Sequence, residues 1–279
     1  MNIKKVALIH DWFLSNSLGG AEKVTSLIDK YLCINFNKPD IFCISENITK
    51  STNIDLFQNR KIDTTIIQQF PFGISKVQNY LPIIPFAIEQ LNLDKYDLIF
   101  SSSHLAAKGI VTSPEQLHIS YVHTPMRYAW DQMNTYLDQS TLSRRGFKLL
   151  IRYFLFKLRE WDYLSGQRPD LLIANSNFTA RRIKKYWRRD STIIHPPVNV
   201  ERFHVSENKS NYYLTVNRLV PNKRIDLLVK AFNKLNLPLI IIGDGPEKNK
   251  LKKLAKSNIK ILCNQNNFQV EKLMSECRA

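Results

Sequence analysis

An alternation running the whole length of the chain constrains its fold more than any other feature. Short apolar runs, suited to strands buried on both faces, alternate with stretches whose apolar residues recur at helical spacing. Residues 6–10 read as a strand, and 21–32 as a helix with Val24, Leu27, Ile28 and Tyr31 on one face. Residues 41–45 and 64–68 read as strands, and 76–91 as helical segments broken by prolines. Three more strands, 98–101, 118–122 and 171–174, follow, with one long helix, 143–166, between the last two. A helix at 177–187 and a short strand at 192–195 complete the series. Pro196-Pro197 then opens a polar connector to about residue 211, and the alternation restarts. Its second series is strand 212–216, helix 223–235, strand 238–242, helix 246–256, strand 259–262 and helix 269–276. This pattern predicts α/β architecture twice over, in residues 1–200 and 201–279.

A chain of 279 residues, 44% hydrophobic, can bury a real core in each part. The longest greasy stretch, 147–158, carries Lys148, Arg152 and Lys157, too charged and too short to cross a bilayer. His10 and Asp11 interrupt the first apolar run and no small-residue cleavage site follows, so a signal peptide is not expected. Cys33, Cys43, Cys263 and Cys277 show no CxxC spacing and read as reduced, mostly buried thiols of a cytoplasmic protein. The formal charge is +16 and uneven: residues 144–189 hold 13 Lys and Arg against Glu160, Asp162 and Asp170. Such a surface suits nucleic acid, anionic lipid or phosphorylated small molecules, and its plainest account is solubility.

Ligands of open α/β sheets bind at the carboxyl ends of the strands, and the chemically dense stretches fall there. Gly19-Gly20 opens the first helix; glycines admit close backbone approach, and a helix start offers free N–H groups. His123-Thr124-Pro125-Met126-Arg127-Tyr128-Ala129-Trp130-Asp131 follows the strand 118–122. There His123 can meet a sugar hydroxyl or phosphate and Trp130 can stack on a sugar or an isoprenoid. A structural histidine and a packed tryptophan are the simpler alternative. His104 reads as structural. Asn175-Ser176-Asn177 has the chemistry of a helix cap. Gly243-Asp244-Gly245-Pro246-Glu247 ends a strand, and a tight turn explains it without a ligand. Arg218 is delivered to a turn and Lys223 to the mouth of a helix, so that guanidinium, ammonium and helix N-terminus converge as a phosphate cradle.

In this order and at these spacings, the stretches resemble the retaining glycosyltransferases of family 4, whose GT-B fold has two Rossmann-like domains facing a cleft. The matching words are Gly19-Gly20-Ala21-Glu22, His123-Thr124-Pro125, Asn175-Ser176-Asn177-Phe178-Thr179, Pro196-Pro197-Val198, Arg218-Leu219-Val220-Pro221-Asn222-Lys223 and Gly243-Asp244-Gly245-Pro246-Glu247. The histidine stretch is most similar to that of mannosyltransferase-like members that build bacterial surface polysaccharide. The resemblance implies transfer of a hexose from a nucleotide diphosphate sugar to a lipid-linked or polysaccharide acceptor, with retention, no cofactor and no metal. It implies that Arg218 and Lys223 hold the diphosphate and stabilise the leaving group. Gly19 and Gly20 would approach the same diphosphate, and Gly243, Asp244 and Gly245 would line the donor side. His123 would contact the donor sugar, with Arg127, Trp130 and Asp131 toward the acceptor.

The chain also departs from the family. Full members continue into two glutamates separated by seven residues, which hold donor sugar and ribose. This sequence ends at Glu276-Cys277-Arg278-Ala279, and Glu247 and Glu271 are too far apart to replace them. Cys263-Asn264 stands where the family carries glycine. The expectation is therefore an incomplete second domain of poor stability and a chain with little turnover of its own. A binding-only relative is the alternative. A nucleic-acid-binding protein is the rival class; it lacks a recognisable reading module here and leaves the strand-end stretches unexplained, so no nucleic acid is expected. A lipid-linked acceptor would bring the protein to the inner face of a membrane. Arg181, Arg182, Lys184 and Lys185 are the candidates for that anionic surface, ahead of the long helix, which reads as core.

Overall fold

The apolar runs pair as parallel strands in two separate sheets. The structure, a computed structural model, describes residues 3–15, 18–50, 56–139 and 147–279. It divides into two units, Met1–Pro197 and Val198–Ala279.

In the first unit the elements run β1 (Val6–Phe13), α1 (Gly20–Asn35), β2 (Asp40–Glu46), β3 (Ile62–Thr64), α2 (Ile84–Glu89), β4 (Leu98–Ser103), β5 (Leu117–Val122), α3 (Met133–Gln139), α4 (Lys148–Ser165), β6 (Leu171–Ala174), α5 (Asn177–Trp187) and β7 (Thr192–Ile193). The sheet order is β3-β2-β1-β4-β5-β6-β7, parallel throughout. β1 is buried along its whole length. Ala7 and Ile9 join one apolar cluster and Val6 and Leu8 another, as the two-residue period of a strand requires. Because β1 lies between β2 and β4, the chain reverses its winding there, and the carboxyl ends of β1, β4 and β5 lie side by side.

The second unit runs β8 (Tyr213–Val216), α6 (Ile225–Leu235), β9 (Leu239–Ile242), α7 (Lys248–Leu254), β10 (Ile259–Leu262) and α8 (Asn267–Glu276). Its sheet order is β10-β9-β8, parallel. Leu219, Ile225, Val229, Leu239, Ile241, Leu251 and Ile259 are its buried apolar core. After α8 the chain returns along the other edge of β8. There Arg278 N–H donates to the Tyr212 carbonyl and Leu214 N–H to the Ala279 carbonyl, each at 2.8 Å.

Several expected elements change. His10 and Asp11 do not interrupt the first strand; both are fully buried within β1, with partners described below. Residues 64–68 are not a strand: β3 stops at Thr64, and Thr65 caps a 3-10 turn, Ile66–Gln69. Residues 133–139 form a helix that periodicity did not mark. The long helix is described from Lys148; residues 143–146 of its expected span lie outside the described residues. The helix expected from residue 223 starts at Ile225. A 3-10 turn, Pro221–Lys223, and a left-handed Arg224 (φ +51°) come first, so Lys223 lies on the turn rather than at the helix mouth. Of the four free cysteines only Cys43 is buried; Cys33 is exposed, and Cys263 and Cys277 are half-buried.

Candidate functional site

β1, β4 and β5 deliver His10 and Asp11, Ser102 to His104, and His123 to one edge of the first sheet. Asp11 is sealed inside, yet it stays satisfied. Its Oδ2 accepts the N–H groups of His104 (2.6 Å) and Leu105 (2.9 Å), and its Oδ1 those of Ala106 (2.6 Å) and Ala107 (2.8 Å). His104 Nδ1 lies 3.0 Å from the same carboxylate. Burial alone raises the Asp11 pKa; His104, His10 and the backbone donors outweigh it and lower it below the usual carboxylate range. This carboxylate ties the segment after β4 to the end of β1.

His10, Thr25, Ser102 and His123 form a buried polar chain. His10 Nδ1 is 2.7 Å from the Ser102 carbonyl and 3.2 Å from Thr25 Oγ1. Thr25 Oγ1 is 2.7 Å from Ser102 Oγ, which is 2.9 Å from His123 Nε2. Burial first, then the neighbouring His10 and His104, press the His123 pKa down to about 3, so its ring is neutral at neutral pH. The backbone of His123 is held as well: its carbonyl accepts from Asn175 Nδ2 at 3.0 Å and Thr179 Oγ1 at 3.3 Å. Asn175 and Ser176 thus act in the cap region as their residue types predict, with Ser176 Oγ accepting the Thr179 N–H. His10, Asp11 and Thr25 escaped the sequence reading because their partners are distant along the chain; Ser102 stands at a strand end beside His104 but with less polar company than His123.

Gly20 begins α1, and a Cβ placed on it would meet nothing within 4 Å. Packing therefore does not demand this glycine. The Gly19 N–H is taken by Glu22 Oε2 at 2.7 Å, so of the glycine pair the Gly20 amide is the one without that partner. Burial raises the pKa of Glu22, and attraction to His10 outweighs it and lowers it.

Trp130 and Asp131 are drawn toward the body of the unit. Trp130 stacks on Tyr186 with ring centroids 4.5 Å apart, and its Nε1 donates to Asp162 Oδ2 at 2.7 Å. Trp187 Nε1 donates to the same oxygen at 2.8 Å, while Lys108 Nζ donates to Asp162 Oδ1 at 2.8 Å. The Lys108 ammonium also lies over the rings of Trp161 and Trp187. Asp131 pairs with Arg182, which also reaches the Pro125 carbonyl. This corrects the surface expectation for Arg182: it is 7% exposed and spends its charge internally. Lys184 is exposed but pairs with Asp190 at 2.8 Å. Arg181, Lys185 and Arg127 are exposed.

In the second unit Arg218 and Lys223 follow β8, both exposed, and neither has an acidic partner among the described residues. Gly243 and Gly245 follow β9 at φ +153° and +154°, where a Cβ would run into the carbonyls of Asn217 and Leu219. Close approach of the turn to the chain after β8 accounts for both glycines. Asp244 Oδ1 accepts the Gly245 N–H at 2.7 Å, and Asp244 lies 3.4 Å from Lys248. Among the described residues no group of three or more His, Cys, Asp or Glu side chains is placed to hold a metal ion.

Comparison with known proteins bears on all of this. A mannosyltransferase of Caenorhabditis elegans, GDP-Man:Man(3)GlcNAc(2)-PP-Dol alpha-1,2-mannosyltransferase, is 26% identical over 148 residues, covering 46% of this chain and 31% of that protein. The protein of the same description from Candida glabrata is 26% identical over 121 residues, 38% of this chain and 24% of its own length. The chain thus spans a third or less of the curated relatives it matches. Among solved structures, the lipopolysaccharide outer core galactosyltransferase WaaB in its apo form superposes with a TM-score of 0.55 at 16% identity, over 99% of this chain and 72% of that one. A glycosyltransferase from Rickettsia africae ESF-5 gives 0.55 at 17% identity, over 98% and 71%. These likenesses show a shared α/β fold. The family model described as Glycosyl transferases group 1 matches residues 199–279. The model described as Glycosyltransferase Family 4 matches residues 18–202, most of the chain, and the protein therefore belongs to glycosyltransferase family 4.

Proposed function

We propose that the protein takes part in transfer of a hexose from a nucleotide diphosphate sugar to a hydroxyl of a lipid-linked or polysaccharide acceptor, with retention at the anomeric carbon. The bond from that carbon to the diphosphate breaks, a bond to the acceptor oxygen forms, and the acceptor's proton leaves with the diphosphate or to solvent. The observation that carries this reading is the pair Arg218 and Lys223, two exposed cations at the carboxyl end of β8 with no described acid to neutralise them. Fixed positive charge there suits the charge that grows on a departing diphosphate. Within the first unit, the Gly20 amide at the start of α1 is suited to an anionic oxygen, and His123, neutral and partly accessible, to a sugar hydroxyl. No cofactor or metal is part of the reading. Guanosine diphosphate mannose is the first donor to test, since that sugar nucleotide stands in the names of the curated relatives.

Titration calorimetry of the 279-residue chain with GDP, UDP and guanosine diphosphate mannose tests it. Arg218→Ala and Lys223→Ala are each expected to weaken nucleoside diphosphate binding about tenfold or more, the loss of one charge-assisted contact of about 1.5–3 kcal/mol. Binding that is equally tight in both variants would remove the proposed clamp. Binding without turnover would favour the non-catalytic alternative.

The acceptor side of the proposal is peripheral contact with an anionic membrane. No helix among the described residues is long and apolar enough to cross one. The support lies on α4 instead of α5. Leu149 (83%), Tyr153 (55%) and Phe156 (44%) form an exposed apolar stripe at helical spacing beside exposed Lys148 and Arg152.

A further inference from the structure

Thr25 and Ser102 have no part in the chemistry so far, yet their hydroxyls join two histidines in an arrangement with a direction. A carbonyl oxygen only accepts, so the 2.7 Å contact between His10 Nδ1 and the Ser102 carbonyl places a hydrogen on Nδ1. The 3.2 Å contact between that nitrogen and Thr25 Oγ1 then has Thr25 accepting. Thr25 has one hydrogen of its own and two oxygens within reach: the Ala21 carbonyl at 2.9 Å and Ser102 Oγ at 2.7 Å.

Two arrangements follow. If Thr25 donates to Ala21, Ser102 must donate to Thr25, and Ser102 Oγ then accepts from His123 Nε2 at 2.9 Å. If Thr25 donates to Ser102, the Ser102 hydrogen goes to His123 Nε2, His123 must carry its hydrogen on Nδ1, and the Ala21 contact has none. The first arrangement gives every contact one donor and one acceptor; the second leaves one short contact with two acceptors facing each other. In a buried site no water replaces an unmade hydrogen bond, and two acceptor lone pairs facing each other at 2.9 Å repel, which decides for the first.

We propose that Thr25 and Ser102 are positioning residues that fix His123 as the Nε2–H tautomer, leaving the Nδ1 lone pair to face the ligand. Nδ1 has no partner among the described residues and is not sealed from solvent. A neutral imidazole that presents a lone pair attracts a hydrogen-bond donor and rejects an anion. The group that meets His123 is therefore a substrate hydroxyl and not a phosphate or carboxylate oxygen. This last step rests on His123 facing the transferred sugar; the tautomer itself does not.

Long-range proton–nitrogen NMR of the imidazole side chains, on the full chain at neutral pH without ligand, tests the tautomer directly. The wild type is expected to show hydrogen on His123 Nε2 and a bare Nδ1. Thr25→Val removes the acceptor for Ser102 and frees its hydroxyl to donate to Nε2, so a substantial Nδ1–H population is expected to appear. Thr25→Ser should restore the wild-type pattern. Hydrogen on Nδ1 in the wild type overturns the proposal even if no variant folds. An unchanged tautomer in a folded Thr25→Val protein overturns the role of the hydroxyl chain. A proton found on Nε2, together with absent binding of guanosine diphosphate mannose, UDP and GDP, would sink the sugar-transfer reading and leave the tautomer standing.

Discussion

Burial presses the imidazoles of His118 and His123 down to about 3, with no compensating anion strong enough to hold a proton on either. In an unfolded chain both titrate near 6.5. Between those values the unfolded state binds more protons than the folded one, so stability falls as pH falls from about 6.5 toward 3. Each such histidine contributes about 1.4 kcal/mol per pH unit in that window. Asp11 acts in the same direction at lower pH, because its depressed pKa makes its contribution disappear as pH drops through the folded value. Urea midpoints measured from pH 7 to 4 are expected to fall steadily. His118→Gln, which removes a titrating ring near the start of β5, should reduce the free-energy slope by about 1.4 kcal/mol per pH unit. An identical slope in the variant would mean that the fold does not hold the His118 ring neutral. The residues that set this behaviour were only partly legible. His123 stands out at a strand end with polar and aromatic company. His10 and Asp11 read as interruptions, because their partners, Ser102 on β4 and the four amides from His104 to Ala107 just after it, lie more than ninety residues away.

Strands buried on both faces and the two amphipathic helices α1 and α5 could be read from periodicity, since their environment is dictated by their own side chains. The misread elements are those whose ends depend on a local cap or a distant pairing: the 3-10 turn after Thr65, and the turn with left-handed Arg224 before α6. Charge runs mislead in a similar way. The basic face of α5 looks like one surface in the sequence, yet Arg182 turns inward to Asp131 and the Pro125 carbonyl. The long helix errs the other way, since apolar residues on most faces read as core while the first turns of α4 are exposed except at Ile151 and Leu155, which pack on the core. For the proposed membrane contact, Lys148→Glu with Arg152→Glu is expected to weaken cosedimentation with phosphatidylglycerol vesicles by tenfold or more, at roughly 1 kcal/mol for each cation lost. Arg181→Glu with Lys185→Glu should do less. Full binding by the α4 variant, with loss in the α5 variant, would return the contact to α5.

Across the whole molecule, the two series of strands and helices and the connector between them were legible because composition changes there over a dozen residues. The sequence already led to the expectation of a second unit that is incomplete and poorly stable; the interiors give that expectation its physical content. The first unit holds several apolar clusters around a seven-stranded sheet; the second has one cluster of seven buried side chains over three strands. A small core leaves little margin over chain entropy, so residues 198–279 are expected to unfold first on heating. The carboxylate of Asp162 makes this measurable. All four tryptophans of the chain, Trp12, Trp130, Trp161 and Trp187, lie in the first unit, and two of them donate their indole hydrogens to Asp162 while Lys108 lies over Trp161 and Trp187. Indole fluorescence is then blind to the second unit, and far-ultraviolet circular dichroism sees both. The dichroism melt should begin at lower temperature than the fluorescence melt, and superimposable curves would mean that the two units unfold as one. The buried carboxylate that gathers Trp130, Trp187 and Lys108 thus sits inside a built-in spectroscopic reporter for the first unit.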